Sequence, residues 1–332
     1  MTALVSLRNV SKRFAAGRRE IPAVSDLSLD VHEGEILCMV GESGCGKTTT
    51  GKMIAGLSRP TEGQVLYRGQ DVWQMRSEGF AAFRKEVQLI HQDPYASLNP
   101  ARTVYKTLSA PLFRHRLVQN RKEAREKILE LLRLVGLTPP EEFIDKYPHQ
   151  LSGGQRQRVS VARALTVNPR LIVADEATSM IDVSLRISLL NMLLKLKREF
   201  NVTFVFVTHD LSLARYFAWE GRIAVMYLGR IVELSPTPLL IQNPRHPYTQ
   251  ALLAAIPEAD PVLTRTKERL ELRSHDIPSL LEMPSGCTFH PRCPWHQPGV
   301  CDRTVPRDVL LRDGRQIACH IVAREEEKEE IG

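Results

Sequence analysis

Residues 41–48 read Gly41-Glu42-Ser43-Gly44-Cys45-Gly46-Lys47-Thr48, a full G-x-x-x-x-G-K-T pattern set between a short apolar run and a segment that reads as a helix. A chain carrying it must form a strand, a tight anion-binding loop and a helix at that point. The glycines let the backbone fold so closely that successive N–H groups aim at phosphate oxygens. Lys47 has the reach to meet β- and γ-phosphates, and the Thr48 hydroxyl can ligate Mg²⁺. Glu35–Val40 (EILCMV) reads as a buried strand. Thr49–Leu57 reads as a helix whose positive N-terminal end faces the anion. This flanking separates the motif from a chance match in a turn.

An acidic element lies downstream. Leu171-Ile172-Val173-Ala174-Asp175-Glu176 is an apolar strand ending in two acids. Set beside the strand that feeds the loop, it would place Asp175 to hold Mg²⁺ through water. Glu176 would then face the attacking water as general base. Alone the pattern says little; downstream of a phosphate loop it is specific. Between the two lies Leu151-Ser152-Gly153-Gly154-Gln155. A serine and two glycines at a helix start make a second anion nest. An ordinary serine cap does not need Gly-Gly-Gln, so the nest is the preferred reading. One chain has no use for two nests around one nucleotide, but two chains meeting head to tail do.

The bulk numbers bound the rest. At 332 residues the chain fits one large domain and a smaller one. Apolar residues make up 43%, enough for a core, and no apolar run approaches the roughly 18 residues that span a bilayer. The first residues, MTALVSLRNV, lack the basic-then-apolar order of a signal peptide, so a cytosolic protein is expected. The net charge of +7 admits nucleic acid or an anionic membrane surface. No arginine cluster interleaves with aromatics, as single-strand stacking requires. Solvated helix faces such as Arg121–Lys127 are the preferred account, with a membrane-proximal site second and no nucleic acid partner.

Along the chain, Leu4–Val10 and Val24–Val31 read as strands around a polar turn, Ala15–Glu20. Gln64–Tyr67, Val87–His91 and Thr203–Val207 are further strands. Residues 101–135 are helix-rich, ended by Pro139 and Pro140. Leu185, Leu189, Met192, Leu193 and Leu196 form the core stripe of an amphipathic helix over Ser184–Leu196. Arg222–Leu228 and Arg230–Leu234 read as a hairpin broken at Gly229. The acidic stretch Glu325–Glu330 is expected to fray.

Taken with the phosphate loop, LSGGQ (Leu151–Gln155) resembles the signature of the nucleotide-binding subunit of ATP-binding cassette transporters, over roughly residues 4–256. The resemblance implies an α/β, P-loop NTPase cassette. Its parts are a RecA-like core sheet, an antiparallel β subdomain and a helical signature subdomain at about 95–165. It also implies roles. Phe14 matches the aromatic that stacks on adenine. Gln92 matches the glutamine that touches Mg²⁺ and the transmembrane partner. Asp182 matches the loop that crosses the dimer interface, and His209 the γ-phosphate histidine. Thr49 follows the loop as a further nucleotide residue. Two departures stand out: Ser179-Met180-Ile181-Asp182 replaces the usual Ser-Ala-Leu-Asp, and Ala177 stands where proline is frequent. The acids and His209 are intact, so a competent ATPase is expected.

Residues 1–256 would form this domain and 257–332 a small Cys-rich C-terminal extension. Asn243-Pro244-Arg245-His246-Pro247-Tyr248-Thr249 and Cys287-Thr288-Phe289-His290-Pro291-Arg292-Cys293-Pro294 resemble the oligopeptide/dipeptide/nickel importer branch. Pro247–Ile256 would be a short helix, with Tyr248, Leu252 and Leu253 packing on the core. Four of the six cysteines, Cys287, Cys293, Cys301 and Cys319, are separated by 5, 7 and 17 intervening residues. In a reducing compartment such crowding suggests metal rather than disulfides. The intervals sit more easily with a [4Fe–4S] cluster than with zinc. The resemblance also implies a cluster as one option. His290, His296 and His320 keep zinc open, and four unligated thiols remain a third account.

The function implied is ATP-driven import of peptides, through head-to-tail dimer closure with a sibling ATP-binding subunit or a second copy. Two transmembrane permease subunits and, indirectly, an extracytoplasmic substrate-binding protein complete the assembly at the cytoplasmic face of the inner membrane. Oligosaccharide or nickel cargo stays open. A cassette ATPase acting on ribosomes or DNA is the remote alternative. Such proteins usually carry two cassettes or a long coiled coil, whereas this chain has one loop with LSGGQ about 100 residues on.

Overall fold

The computed structural model describes residues 3–17, 19–179, 181–256 and 270–331. Among the described residues, twelve strands form two sheets. The smaller is antiparallel in the order β2 (Arg19–His32), β1 (Ala3–Ala16), β4 (Glu62–Tyr67), β5 (Gln70–Asp71). The larger runs β11 (Val309–Leu310), β12 (Gln316–Ile317), β10 (Arg230–Pro236), β9 (Arg222–Tyr227), β3 (Ile36–Val40), β8 (Thr203–Val207), β7 (Leu171–Asp175), β6 (Val87–Ile90). Five strands from β9 to β6 are parallel, and β10, β11 and β12 pair antiparallel at the other edge.

The parallel strands are buried on both faces, and their side chains divide two cores by alternation. Ile36, Cys38 and Val40 of β3, with Phe204 and Phe206 of β8, face the helical side. Leu37, Met39, Val205 and Val207 face α1 (Lys47–Ile54) and the antiparallel sheet. Gly51 lets α1 approach β7: a Cβ there would stand 3.2 Å from Val173 Cγ1.

On the other face, α4 (Val104–Arg114), α5 (Arg121–Leu134) and α7 (Gly153–Leu165) bury Leu108, Ile128 and Val161 in one cluster. Short helices α3 (Pro94–Ser97) and α6 (Glu141–Ile144) complete this layer, while α2 (Ser77–Glu86) precedes β6. α8 (Val183–Phe200) and α9 (Leu211–Phe217) flank β8 in sequence. After β10 come α10 (Thr237–Gln242), α11 (Pro247–Ala254) and, at the end, α12 (His320–Ile331). No helix among the described residues is long and apolar enough to cross a membrane.

Four expectations need correction. The strand Leu171–Asp175 does not lie beside β3: β8 stands between and pairs in parallel with both. All five side chains of β8 (TFVFV) are buried, which suits it to an interior position. The acidic stretch Glu325–Glu330 is helical, continuing α12 from a first turn in which Val322 is buried. Leu185 is not core. It is 41% exposed, whereas Leu189, Met192, Leu193 and Leu196 are buried. The polar turn expected over Ala15–Glu20 is shorter, since β1 and β2 stay paired to Ala16 and Arg19.

Candidate nucleotide-binding site

The phosphate loop joins β3 to α1, and only glycine fits two of its positions. Gly46 has φ +100°, and a Cβ there would lie 2.4 Å from the Ala23 carbonyl oxygen of β2. At Gly41, with φ +152°, it would lie 2.1 Å from the Met226 carbonyl oxygen of β9. The loop is thus pressed between the two sheets. Backbone bonds tie it down further, from Gly229 N–H to Cys45 O (3.0 Å) and from Ser25 N–H to Gly229 O (2.9 Å). Ser43 and Gly44 remain exposed, while Thr48 and Thr49 are half-buried.

Lys47 is 5% exposed and its ammonium curls into the loop, donating to Gly41 O (2.7 Å) and Glu42 O (2.8 Å). No side chain caps the N-terminus of α1. The positive end of the helix and the lysine therefore both face the loop's interior, a donor set that suits a polyphosphate. Thr48 Oγ1 donates to Asp175 Oδ1 at 2.9 Å. Burial raises the Asp175 carboxyl above its ordinary range, partly offset by Thr48. A hydroxyl and a buried carboxylate side by side are hard oxygen donors that suit Mg²⁺. They meet although β7 and β3 are not neighbours, because Thr48 in the first turn of α1 reaches across the end of β8.

One residue on, Glu176 has left the strand with φ +45°. Its N–H donates to Val207 O at 3.0 Å. Its carboxylate is shared between two side chains: Gln92 Nε2 donates at 2.8 Å and His209 Nδ1 lies at 3.4 Å. Gln92 stands just past β6 and His209 just past β8, so the carboxyl ends of three parallel strands supply the constellation. Open parallel sheets bind ligands at that edge.

The signature segment sits elsewhere. α7 packs among α3, α4 and α5 and against β6, with β7 and β8 between it and β3. Ser152 caps it, accepting from Gln155 N–H, while Gln155 Oε1 accepts from Ser152 N–H. The ordinary cap discounted on the sequence is therefore present, as a reciprocal capping box. Leu151 is buried, Ser152 exposed, and Gly153, Gly154 and Gln155 half-buried. A groove of about 390 Å³ opens here, lined by Ser152, Gly154, Gln155, Arg158, Ile181 and Leu185. Asp182 opens α8 and is exposed. Met180, within the same motif, lies outside the described residues. Phe14 is 45% exposed near the tip of the β1–β2 hairpin, with Lys12 Nζ 5.3 Å from its ring centroid.

The four late cysteines are brought into one region. Cys287 N–H donates to Cys301 O at 2.8 Å. Burial, then mutual repulsion among the thiols, pushes Cys287 up to about 12 and Cys293 up to about 11. Among the described residues, however, no three His, Cys, Asp or Glu side chains converge on a point where an ion would sit. The four thiols are neighbours, but the described side chains form no metal-ligand set.

Two contacts at the loop were not legible in the motif. Tyr248 OH accepts from Glu42 N–H at 3.0 Å across 206 residues. Arg292 pairs with the Glu42 carboxylate at 2.9 Å across 250 residues. Tyr248 was expected only as core packing.

Comparison with known proteins agrees with this arrangement. Residues 24–179 match the ABC transporter family model, and residues 232–301 match that of the oligopeptide/dipeptide transporter C-terminal region. A putative oligopeptide transport ATP-binding protein of Bacillus subtilis is 42% identical, over 99% of this chain and 98% of its own. A dipeptide transport ATP-binding protein of Haemophilus influenzae is 41% identical, over 93% and 92%. Among solved structures, a post-hydrolysis dimer of the cassette MJ0796 bound to ADP and Pi superposes with TM-score 0.64. It is 34% identical and covers 70% of this chain and 98% of that one. A fold and site of this kind define an ATPase of the cassette class. The chain belongs to the ATP-binding cassette transporter family, in the branch of oligopeptide and dipeptide ATP-binding proteins.

Proposed function

We propose that this chain is the ATP-hydrolysing subunit of a peptide importer, acting as one half of a head-to-tail dimer. The observation that carries the reading is the Glu176 carboxylate held between Gln92 and His209, next to the Asp175–Thr48 pair. The relatives' names, transport ATP-binding proteins for oligopeptides and dipeptides, support the cargo.

In this reading residues 1–256 are the nucleotide-binding domain, helical at about 95–165, and 257–332 are the extension. Phe14 stacks on adenine. Gly41–Thr49 cradle the phosphates, and Lys47 exchanges its loop carbonyls for phosphate oxygens. Thr48, Gln92 and Asp175 would hold Mg²⁺, which neutralises phosphate charge. Glu176 accepts the proton of the attacking water, oriented by Gln92, and His209 meets the γ-phosphate. Leu151–Gln155 of one chain closes over the ATP of the other, with Asp182 at the interface. The chemistry is positional and electrostatic. Hydrolysis therefore waits for closure. The partner is a sibling subunit or a second copy. Two permeases hold the pair at the cytoplasmic face of the membrane, and a binding protein outside delivers cargo.

The thiol cluster is read as a [4Fe–4S] site, with zinc the alternative. Supporting it are the proximity of four sulfurs and a buried His296 Nε2 without a hydrogen-bond partner. Ligation asks these side chains to re-aim and the thiols to lose protons. Protein purified without oxygen should be brown and carry iron and sulfide; colourless protein with one zinc per chain overturns the iron reading.

Tagged chain extracted from native membranes in mild detergent tests the whole. Two multi-span permeases and an ATP-binding partner are expected. Ribosomal or DNA-bound partners, with nothing from the membrane, overturn it.

A further inference from the structure

The phosphate loop carries an acid at its second position. Glu42 is the first variable residue of the loop, and its carboxylate is only 22% exposed. A partly buried negative charge beside a nucleotide's phosphates repels them, because screening by water is weak there. The chain answers this charge from its far end. Arg292 Nη1 spans both Glu42 oxygens, at 3.0 Å and 2.9 Å, and the Arg292 side chain is 7% exposed.

The guanidinium is fixed by an aromatic box. Its carbon lies 5.7 Å from the ring centroids of both Tyr227 and Phe289. Those rings pack edge to face at 5.3 Å, and Tyr248 packs on both, at 4.6 Å and 5.4 Å. All three aromatics are 1% exposed, so the box is rigid core. Tyr248 adds a second hold: its hydroxyl accepts from the Glu42 N–H at 3.0 Å, fixing the backbone at the start of the loop. Arg292 stands between Phe289 and Cys293, in the Cys-rich segment.

We propose that Arg292 and Tyr248 are positioning residues for the phosphate loop, with the C-terminal extension neutralising and aiming Glu42 so that the loop accepts polyphosphate. The extension is then part of its own chain's nucleotide site. This rests on the ATP-binding reading given above.

The test is direct binding of ATP, ADP and adenosine to the purified full chain, with turnover measured in parallel. Arg292→Gln should weaken ATP binding about tenfold, ADP less, and adenosine not at all. KM for ATP should rise while kcat at saturation changes little. Adding Glu42→Gln to Arg292→Gln removes the stranded charge and should restore most of the lost affinity. If the double variant binds as weakly as the single one, Arg292 is only a structural support and the proposal falls. It falls equally if Arg292→Gln binds ATP like the wild type, or loses ATP and adenosine alike. Where Arg292→Gln does not fold, Glu42→Gln alone carries the test: with no carboxylate left to neutralise, the ATP loss should stay under about threefold. A larger loss with the fold intact overturns the charge argument. A wild-type chain without affinity for ATP overturns both this proposal and the function it rests on.

Discussion

The Gln92 amide donates to the Glu176 carboxylate at 2.8 Å, joining the residue two positions past edge strand β6 to the residue just past β7. The two strands are paired in parallel, so their carboxyl ends stand side by side. Glu176 holds a left-handed backbone that non-glycine residues seldom adopt. Such a conformation persists where surrounding bonds enforce it, here from Val207 O and the Ser179 hydroxyl. Glu176→Gln keeps the shape and removes the base. Turnover is expected to fall about 10²–10⁴-fold, with ATP binding retained and a nucleotide-bound dimer accumulating on size exclusion. Hydrolysis at the wild-type rate would remove Glu176 from the role of base.

Asp175 gives a prediction about pH. Its carboxyl is raised by burial. An acid raised on folding costs no stability below its unfolded pKa of about 3.9, and the cost grows as pH rises through the folded value. Asp175→Asn removes that cost and keeps an acceptor for Thr48. The nucleotide-free variant should melt about 1–3 °C above wild type at neutral pH. The gap should close as pH approaches 4, while Mg²⁺-dependent hydrolysis is lost. A variant that melts lower at neutral pH contradicts this account.

Gly46 is fixed by geometry and space together. Alanine there would take a left-handed conformation and drive its methyl into the Ala23 carbonyl oxygen at 2.4 Å. Strain of this kind costs on the order of 1–3 kcal/mol before any clash is relieved. Gly46→Ala should therefore lose ATP binding and also loosen the small sheet, seen as faster amide exchange in β2 by mass spectrometry. Unchanged exchange in β2 would mean that the loop and the small sheet are not coupled through Ala23.

The extension is tied to the core by buried charge. Glu233 of β10 is 0% exposed and accepts from the backbone N–H of Arg245 and His246. Arg315, 3% exposed, lies 4.0 Å from it. Burial raises the Glu233 carboxyl, with these donors and Arg315 pulling the other way. Arg315→Ala would take the cation from Glu233, from Asp313 at 2.5 Å and from the Asn243 carbonyl together, at an expected cost of about 3–5 kcal/mol in urea unfolding. A cost below about 1 kcal/mol would show that the backbone donors suffice.

Much of this was legible locally. The loop, the two acids and the signature each fit within one short run, where spacing alone dictates chemistry. Continuous apolar runs mark β3, β7 and β8 as strands but not their order, since that order depends on distant pairings such as Ile36 of β3 with Phe204 of β8. The strand Leu171–Asp175 was therefore placed beside β3, when β8 intervenes. Leu185 obeys the helical period of its neighbours yet is exposed, because period assigns a face and not what covers it. The nest reading of Ser152 sets an ordinary cap aside, yet the capping box is present; a cap and a nest share one helix start, so the box adds to that reading without removing it.

What the sequence determined by itself is the nucleotide chemistry: Lys47, Thr48, Asp175 and Glu176 are specified by neighbours a few bonds away. What only the tertiary structure decided is who touches them. Arg292 reaches Glu42 across 250 residues, through an aromatic box built from β9, α11 and the Cys-rich segment. No local propensity encodes that contact. It exists because closing so long a loop is repaid by the collective burial of Tyr227, Tyr248 and Phe289, and the arginine is carried to the carboxylate with them.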